Sequence, residues 1–167
     1  MKTYLITGCA GFIGSNFVHY MLKKYPEILL VNLDKLTYAG NLENLKDVEG
    51  DPRHVFVQGD ICDKELVESL FQKYDFDYVI NFAAESHVDR SIKNPEIFVQ
   101  SNVMGTVNLL QRAKEAWYDA DAKTWKEGKK YLQVSTDEVY GALGADCLLY
   151  TSPSPRDSTS SRMPSSA

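Results

Sequence analysis

Apolar residues recur along this chain in two alternating rhythms. Residues 3–7 form a short β-type run that ends at Gly8, and residues 12–24 carry apolar side chains at helical spacing, with Phe17, Val18, Met21 and Leu22 on one face. Pro26 closes that helix, and the continuous apolar run of residues 28–31 suits a parallel strand covered on both faces. Residues 55–57 predict a third strand. Leu66, Val67, Leu70 and Phe71 mark one face of a helix capped by Asp63, and residues 78–80 predict a fourth strand. Val99, Val103, Thr106, Leu110, Ala113 and Trp117 recur at steps of four and three, which predicts a long helix from about Glu96, and residues 131–134 supply a fifth strand. Repeated β-α-β units imply an α/β fold with a doubly wound parallel sheet, truncated after about five strands.

Length and composition narrow this only a little. A chain of 167 residues, 44% hydrophobic and 25% charged, can bury one sizeable core, so one domain is expected. A formal charge of -5 and a pI near 5.2 argue against a surface that gathers nucleic acid or a membrane by charge alone. The N-terminal apolar run is too short to span a bilayer and lacks the build of a signal peptide, so a cytoplasmic protein is expected. Cys9, Cys62 and Cys147 show no metal-ligand spacing and read as free thiols.

The composition shifts after Asp146. Residues 147–167 hold seven serines and three prolines without hydrophobic periodicity, the profile of a disordered tail. Cys147-Leu148-Leu149-Tyr150-Thr151-Ser152-Pro153-Ser154-Pro155-Arg156-Asp157 also resembles the translation of a transposase adapter used in sequencing libraries, and Ser161-Arg162-Met163-Pro164-Ser165-Ser166-Ala167 the end of the same adapter. The expectation is therefore an incomplete nucleotide-binding domain over residues 1–146 and a non-native tail over 147–167, set aside in reading fold and function.

Candidate chemistry clusters at the strand ends. Gly8-Cys9-Ala10-Gly11-Phe12-Ile13-Gly14 places glycines at the first, fourth and seventh positions of a strand-to-helix turn, one residue off the GxGxxG spacing. Such a turn permits a tight bend, a backbone close to a pyrophosphate and close helix packing, although a glycine turn alone can be only a turn. Asp34 ends the second strand, 20 residues past Gly14, where a carboxylate can accept ribose hydroxyls and repel a 2′-phosphate. It can equally be a turn aspartate, and the neighbouring Lys35 would soften discrimination against phosphate. Asp60-Ile61 sits where an adenine edge would lie, or forms a helix-leading turn. The small residues of Phe82-Ala83-Ala84 suit either close cofactor approach or plain packing. Ser135-Thr136-Asp137-Glu138 follows the fifth strand, where two adjacent acids can divide acid and base roles or form a solvated turn. The polar loop Glu85-Ser86-His87-Val88-Asp89-Arg90-Ser91 offers Arg90 as a phosphate ligand, and His87 is not read as a metal ligand.

These segments resemble the extended short-chain dehydrogenases, the NAD-dependent epimerase/dehydratase family with its Rossmann-type domain, and within it the dTDP-glucose 4,6-dehydratases of deoxysugar (rhamnose-type) biosynthesis. The resemblance rests on residues 7–14, 33–45, 82–92, 101–106 and 135–141 and spans nearly all of residues 1–144. It implies NAD contacts by Gly8, Gly11, Phe12, Ile13, Gly14, Asp34, Lys35, Leu36, Thr37, Asp60, Ile61, Phe82, Ala83, Ala84, Glu85, Ser86 and Ser101. It also implies that Ser86 and Thr136 lie near the sugar nucleotide. The implied reaction converts dTDP-glucose to dTDP-4-keto-6-deoxyglucose and water through transient NADH. Thr136, Asp137 and Glu138 are its catalytic residues: Glu138 removes the C5 proton and Asp137 protonates the departing C6 hydroxyl. A homodimeric parent is implied, with a small-molecule substrate as partner. The family's Tyr-x-x-x-Lys pair, expected after Gly141, is missing, because Tyr150 has Ser154 four residues on. An inactive N-terminal fragment is thus expected. The alternatives are another sugar-nucleotide epimerase or decarboxylase, which shares this cofactor half, and a non-enzymatic NAD-binding module.

Overall fold

The structure, a computed structural model, describes residues 1–136. The chain divides into two compact units, Met1–Gln133 and Val134–Ala167. The first contains all the elements below.

Four strands alternate with helices as the apolar rhythm predicts: β1 (Lys2–Thr7), α1 (Phe12–Lys24), β2 (Ile28–Asp34), β3 (His54–Gln58), α2 (Lys64–Lys73) and β4 (Tyr78–Asn81). Three further helical segments, α3 (Val88–Lys93), α4 (Pro95–Phe98) and α5 (Thr106–Trp117), precede a short antiparallel hairpin of β5 (Tyr118–Asp119) and β6 (Thr124–Trp125), and then β7 (Lys130–Gln133). The main sheet has the order β3-β2-β1-β4-β7 with every pairing parallel. That order reverses beside β1, and ligands of open α/β sheets bind in the crevice such a reversal leaves at the carboxyl edge.

Burial explains the continuous apolar runs. β2 and β4 are covered on both faces, and the core forms two layers. On one side Leu5, Val31, Leu33, Val67, Val79 and Leu109 pack with Phe76 and Trp117, whose indole N–H donates to the Phe76 carbonyl at 3.0 Å. On the other, Val18, Met21 and Leu22 of α1 pack on Ile6 and Leu30 of the sheet. As expected, Asp63 caps α2, its carboxylate accepting from the Leu66 N–H at 3.0 Å.

The long helix predicted from Glu96 is present as one helical path with a change of pitch. α4 runs into a π-helical stretch, Val99–Gly105, and then into α5. One extra residue in a turn rotates everything beyond it by about 100°. The apolar positions are not all buried: Ala113 and Trp117 of α5 are buried, whereas Val99 and Val103 of the π-helical stretch, and Val107 and Leu110 of α5, stand exposed.

Candidate functional site

β1 ends at Gly8, whose φ of +67° lies in the left-handed region that a side chain disfavours. A Cβ there would also stand 2.6 Å from the Ala83 backbone nitrogen, so the turn after β1 and the loop after β4 touch backbone to backbone. Gly14 is equally constrained, because its Cβ would lie 2.1 Å from the Gly8 carbonyl oxygen. Gly11 differs: the nearest atom to its Cβ would be 3.4 Å away. The first and third glycines thus lock the turn, and the middle one leaves room over it. No side chain caps α1 and no acid occupies its first turn, while Phe12 and Ile13 are 83% and 60% exposed. The positive end of the helix therefore faces an open approach, the setting in which a helix N-terminus holds a phosphate.

Asp34, at the end of β2, is buried and grips this turn directly. Its Oδ2 accepts from the Ala10 N–H and its Oδ1 from the Leu36 N–H, both at 2.8 Å. The second bond requires Leu36 to adopt a φ of +57°, a conformation an ordinary side chain resists. Gly40 packs over the carboxylate, with no space for a Cβ beside Oδ1. From the neighbouring 3₁₀ helix (Leu42–Val48), Asn44 Nδ2 donates to the Ala10 carbonyl at 2.9 Å, and the Asn41 N–H reaches the same oxygen at 3.1 Å. The Thr37 carbonyl accepts from Gly40 N–H, closing the loop.

Asp60, after β3, takes the Lys35 ammonium on Oδ2 at 2.6 Å and the Cys62 N–H on Oδ1 at 2.9 Å. Burial opposes its ionisation, but these two donors outweigh that effect and hold its pKa below the ordinary carboxylate value. The hydrogen bond to Asp60 raises the Lys35 pKa in turn. The Lys35 charge is thereby committed to Asp60 rather than left to soften the field of Asp34. Ile61 is buried under the π-helical stretch, where Gly105 has no space for a Cβ against it. Burial, followed by its bond to Asp60, pushes the Cys62 thiol up to about 11.

In the loop after β4, the Phe82 ring packs on Phe17 in the core, so its backbone is what the crevice meets. Ala83 lies against Gly8, Ala84 and Ser86 are exposed, and Glu85 is buried. Asn102, on the π-helical stretch next to Ser101, accepts the Glu85 N–H and donates to the Glu85 carbonyl, each at 2.8 Å. Below the loop, Thr7 and Asn81 are hydrogen-bonded through their side chains, and Asn81 Nδ2 continues to Gln133 at 2.9 Å and Thr106 at 3.4 Å. Burial pushes the nearby Tyr131 hydroxyl up to about 12. The loop's far end crosses back: Arg90 lies over the Tyr38 ring at 4.0 Å, and His87 meets the same ring edge-on.

The structure thus draws together residues 8–14, 34–37, 60–61 and 82–86 at one sheet edge, and Ser101 precedes Asn102, which holds Glu85 of the last segment. Thr136 follows β7 in the second unit, and Asp137 and Glu138 lie outside the described residues. Sequence reasoning missed Ala10, Gly40, Asn44 and Asn102. A Tyr-x-x-x-Lys spacing does occur at Tyr20 and Lys24, but it sits on the exposed side of α1, roughly 12 Å of helix beyond Phe12, so it cannot serve this edge.

A parallel sheet with this strand order and an open glycine turn on its first βαβ unit defines a Rossmann-type fold. Comparison with known proteins narrows the class. A family model described as GDP-mannose 4,6 dehydratase matches residues 5–156, and the chain belongs to that family. A dTDP-glucose 4,6-dehydratase of Xanthomonas campestris is 53% identical over 144 residues, covering 86% of this chain and 40% of the relative. The crystal structure of the Bacillus anthracis dTDP-glucose 4,6-dehydratase in complex with NAD matches with a TM-score of 0.72 and 41% identity, over 96% of this chain and 47% of that one. DesIV, the Streptomyces venezuelae dTDP-glucose 4,6-dehydratase with NAD and TYD bound, gives 0.72 and 44% identity over 86% and 42%. The chain spans about 40% of the length of the first of these relatives.

Proposed function

We propose that this chain supplies the cofactor-binding part of an NAD-dependent hydro-lyase, a dTDP-glucose 4,6-dehydratase. The observation that carries the reading is the buried Asp34 carboxylate hydrogen-bonded to the glycine turn. An anion cradle and a ribose-hydroxyl acceptor then form one rigid unit, and the fixed negative charge disfavours a 2′-phosphate. NAD, when bound there, would supply the hydride acceptor for C4 of the glucose and the hydride donor for C6. The glycine turn and the first turn of α1 hold the pyrophosphate, Asp34 the adenosine ribose, and Asp60 and Ile61 the adenine edge. Ser86 and Thr136 bind the sugar nucleotide. Glu138 removes the C5 proton, made acidic by the C4 ketone, and Asp137 protonates the C6 hydroxyl so that it leaves as water.

Residues 142–167 contain no Tyr-x-x-x-Lys pair to take the C4 hydroxyl proton, so the role proposed for these 167 residues is cofactor binding rather than turnover. The exposed stripe of Val99, Val103, Val107 and Leu110 supports a homodimer with a second copy. Among the described residues no helix is long and apolar enough to cross a membrane; the location proposed is cytoplasmic.

The test has two arms. The purified chain should bind NAD yet form no 4-keto sugar from dTDP-glucose. The equivalent of Glu138→Gln in a full-length relative should stall after oxidation and accumulate reduced nicotinamide absorbance. Product from the chain alone, or an unimpaired variant, would contradict the reading.

A further inference from the structure

We propose that Asn102 is a positioning residue: its carboxamide clamps the backbone of Glu85 and so sets the loop after β4 against the glycine turn. The proposal rests on the NAD reading above. Beyond Asn81 the β4 ladder has ended, yet Glu85 still has both backbone polar groups satisfied, N–H to Asn102 Oδ1 and C=O to Asn102 Nδ2, each at 2.8 Å. One side chain thereby does what a neighbouring strand would do.

The clamp works against a pull in the other direction. Glu85 is 7% exposed, and among the described residues its Oε2 has no hydrogen-bond partner. A carboxylate oxygen shut away from water without a donor favours any movement that returns it to solvent. Without Asn102 the loop would gain by swinging Glu85 outward, and Ala83, which lies against Gly8, would move with it.

Asn102 is itself held. It sits in the π-helical stretch, whose Gln100 carbonyl accepts the Cys62 thiol at 3.1 Å and whose Gly105 is packed on Ile61. Single π turns recur where a helix must redirect side chains toward a site, and this one aims Asn102 at the loop while Asn108 and Leu109 stay buried. In the strand order β3-β2-β1-β4, Asp60 and Asp34 lie on one side of the glycine turn and the clamped loop on the other. The Asn102 clamp therefore bears on the half of the dinucleotide beyond the pyrophosphate, on the opposite side of the turn from Asp34 and Asp60.

Titration of the purified chain with NAD and with ADP, which carries the adenosine and both phosphates but not the nicotinamide riboside, separates this role from a general structural one. Asn102→Ala, losing two hydrogen bonds, should weaken NAD roughly 10-fold or more while ADP affinity changes less than about 3-fold. Asn102→Asp, nearly isosteric but unable to donate to the Glu85 carbonyl, should show the same selectivity and carries the comparison should Asn102→Ala fail to fold. Equal losses for both ligands, or no loss for either, would overturn the proposal. A wild-type chain that bound no NAD would remove the underlying reading and this proposal with it, and that outcome is read from the wild-type arm alone.

Discussion

The Ala10 N–H and the Asp34 carboxylate meet at 2.8 Å, and this bond makes the turn after β1 and the acid ending β2 a single structure. Because Asp34 also takes the Leu36 N–H, both of its oxygens face donors. In Asp34→Asn one donor must face an NH₂ group. The expected loss of stability is about 1–3 kcal/mol by urea unfolding. Removing the charge should also reduce any preference for NAD over NADP, measured as the ratio of the two Kd values. A variant with unchanged stability and an unchanged ratio would show that Asp34 has neither role.

Gly14 and Gly50 make a matched pair. A Cβ on Gly14 would enter the Gly8 carbonyl oxygen, whereas one on Gly50 would meet nothing within 4 Å. Gly14→Ala should therefore cost about 2 kcal/mol or more through forced backbone movement, and Gly50→Ala should stay within about 0.5 kcal/mol of wild type. Urea midpoints give both values, and similar costs would argue against close packing at the turn.

Much of the fold is readable in the chain, for a physical reason. Parallel strands buried on both faces are largely apolar, so β2 and β4 stand out as runs, β1 and β3 show shorter ones, and the residues just past them are the sheet's carboxyl edge; β7, an edge strand, is mostly exposed. The apolar runs by themselves therefore bring Gly8, Asp34, Asp60 and the Phe82 loop to one edge. The Asn102–Glu85 clamp is not legible in the same way, because a side-chain bond to backbone across 17 residues leaves no periodic trace. The π turn hides likewise, since apolar spacing at 99, 103, 106 and 110 reads as ordinary helix. The β5/β6 hairpin, two residues a side, is too short to show alternation.

Two groups should give the chain a pH-dependent stability with the same sign in separate ranges. His54 is half-buried, and burial lowers its pKa below 6.5. The unfolded chain therefore takes up that proton first, and stability falls as pH drops below about 6.5. Burial opposes ionisation of Asp77, but the Thr3 N–H at 2.9 Å, Lys2 at 3.1 Å and Lys129 at 3.5 Å outweigh it and keep its pKa below the usual carboxylate value. Its contribution is present above about pH 4 and lost as pH falls through the lower folded value. Urea midpoints across pH should show both declines. His54→Phe should flatten the upper one and Asp77→Asn should reduce the lower, while wild-type stability that rose on acidification would contradict both assignments.

The exposed apolar stripe on the helical path from Val99 to Leu110 should be buried between two copies of the chain. Sedimentation should find a dimer for the wild type and a monomer for Val107→Lys, whose charge would have to enter the contact unpaired. A monomeric wild type would exclude this face as a self-association surface.

The most direct measurement is residue-by-residue amide mapping by NMR while NAD is titrated into the purified chain. The loops after β1, β2, β3 and β4 should respond as one site, with the amides of residues 8–14, 34–37, 60–61 and 82–86 shifting along a single saturation curve. Shifts confined to one of these loops, or saturation with different constants at different loops, would contradict a shared dinucleotide groove.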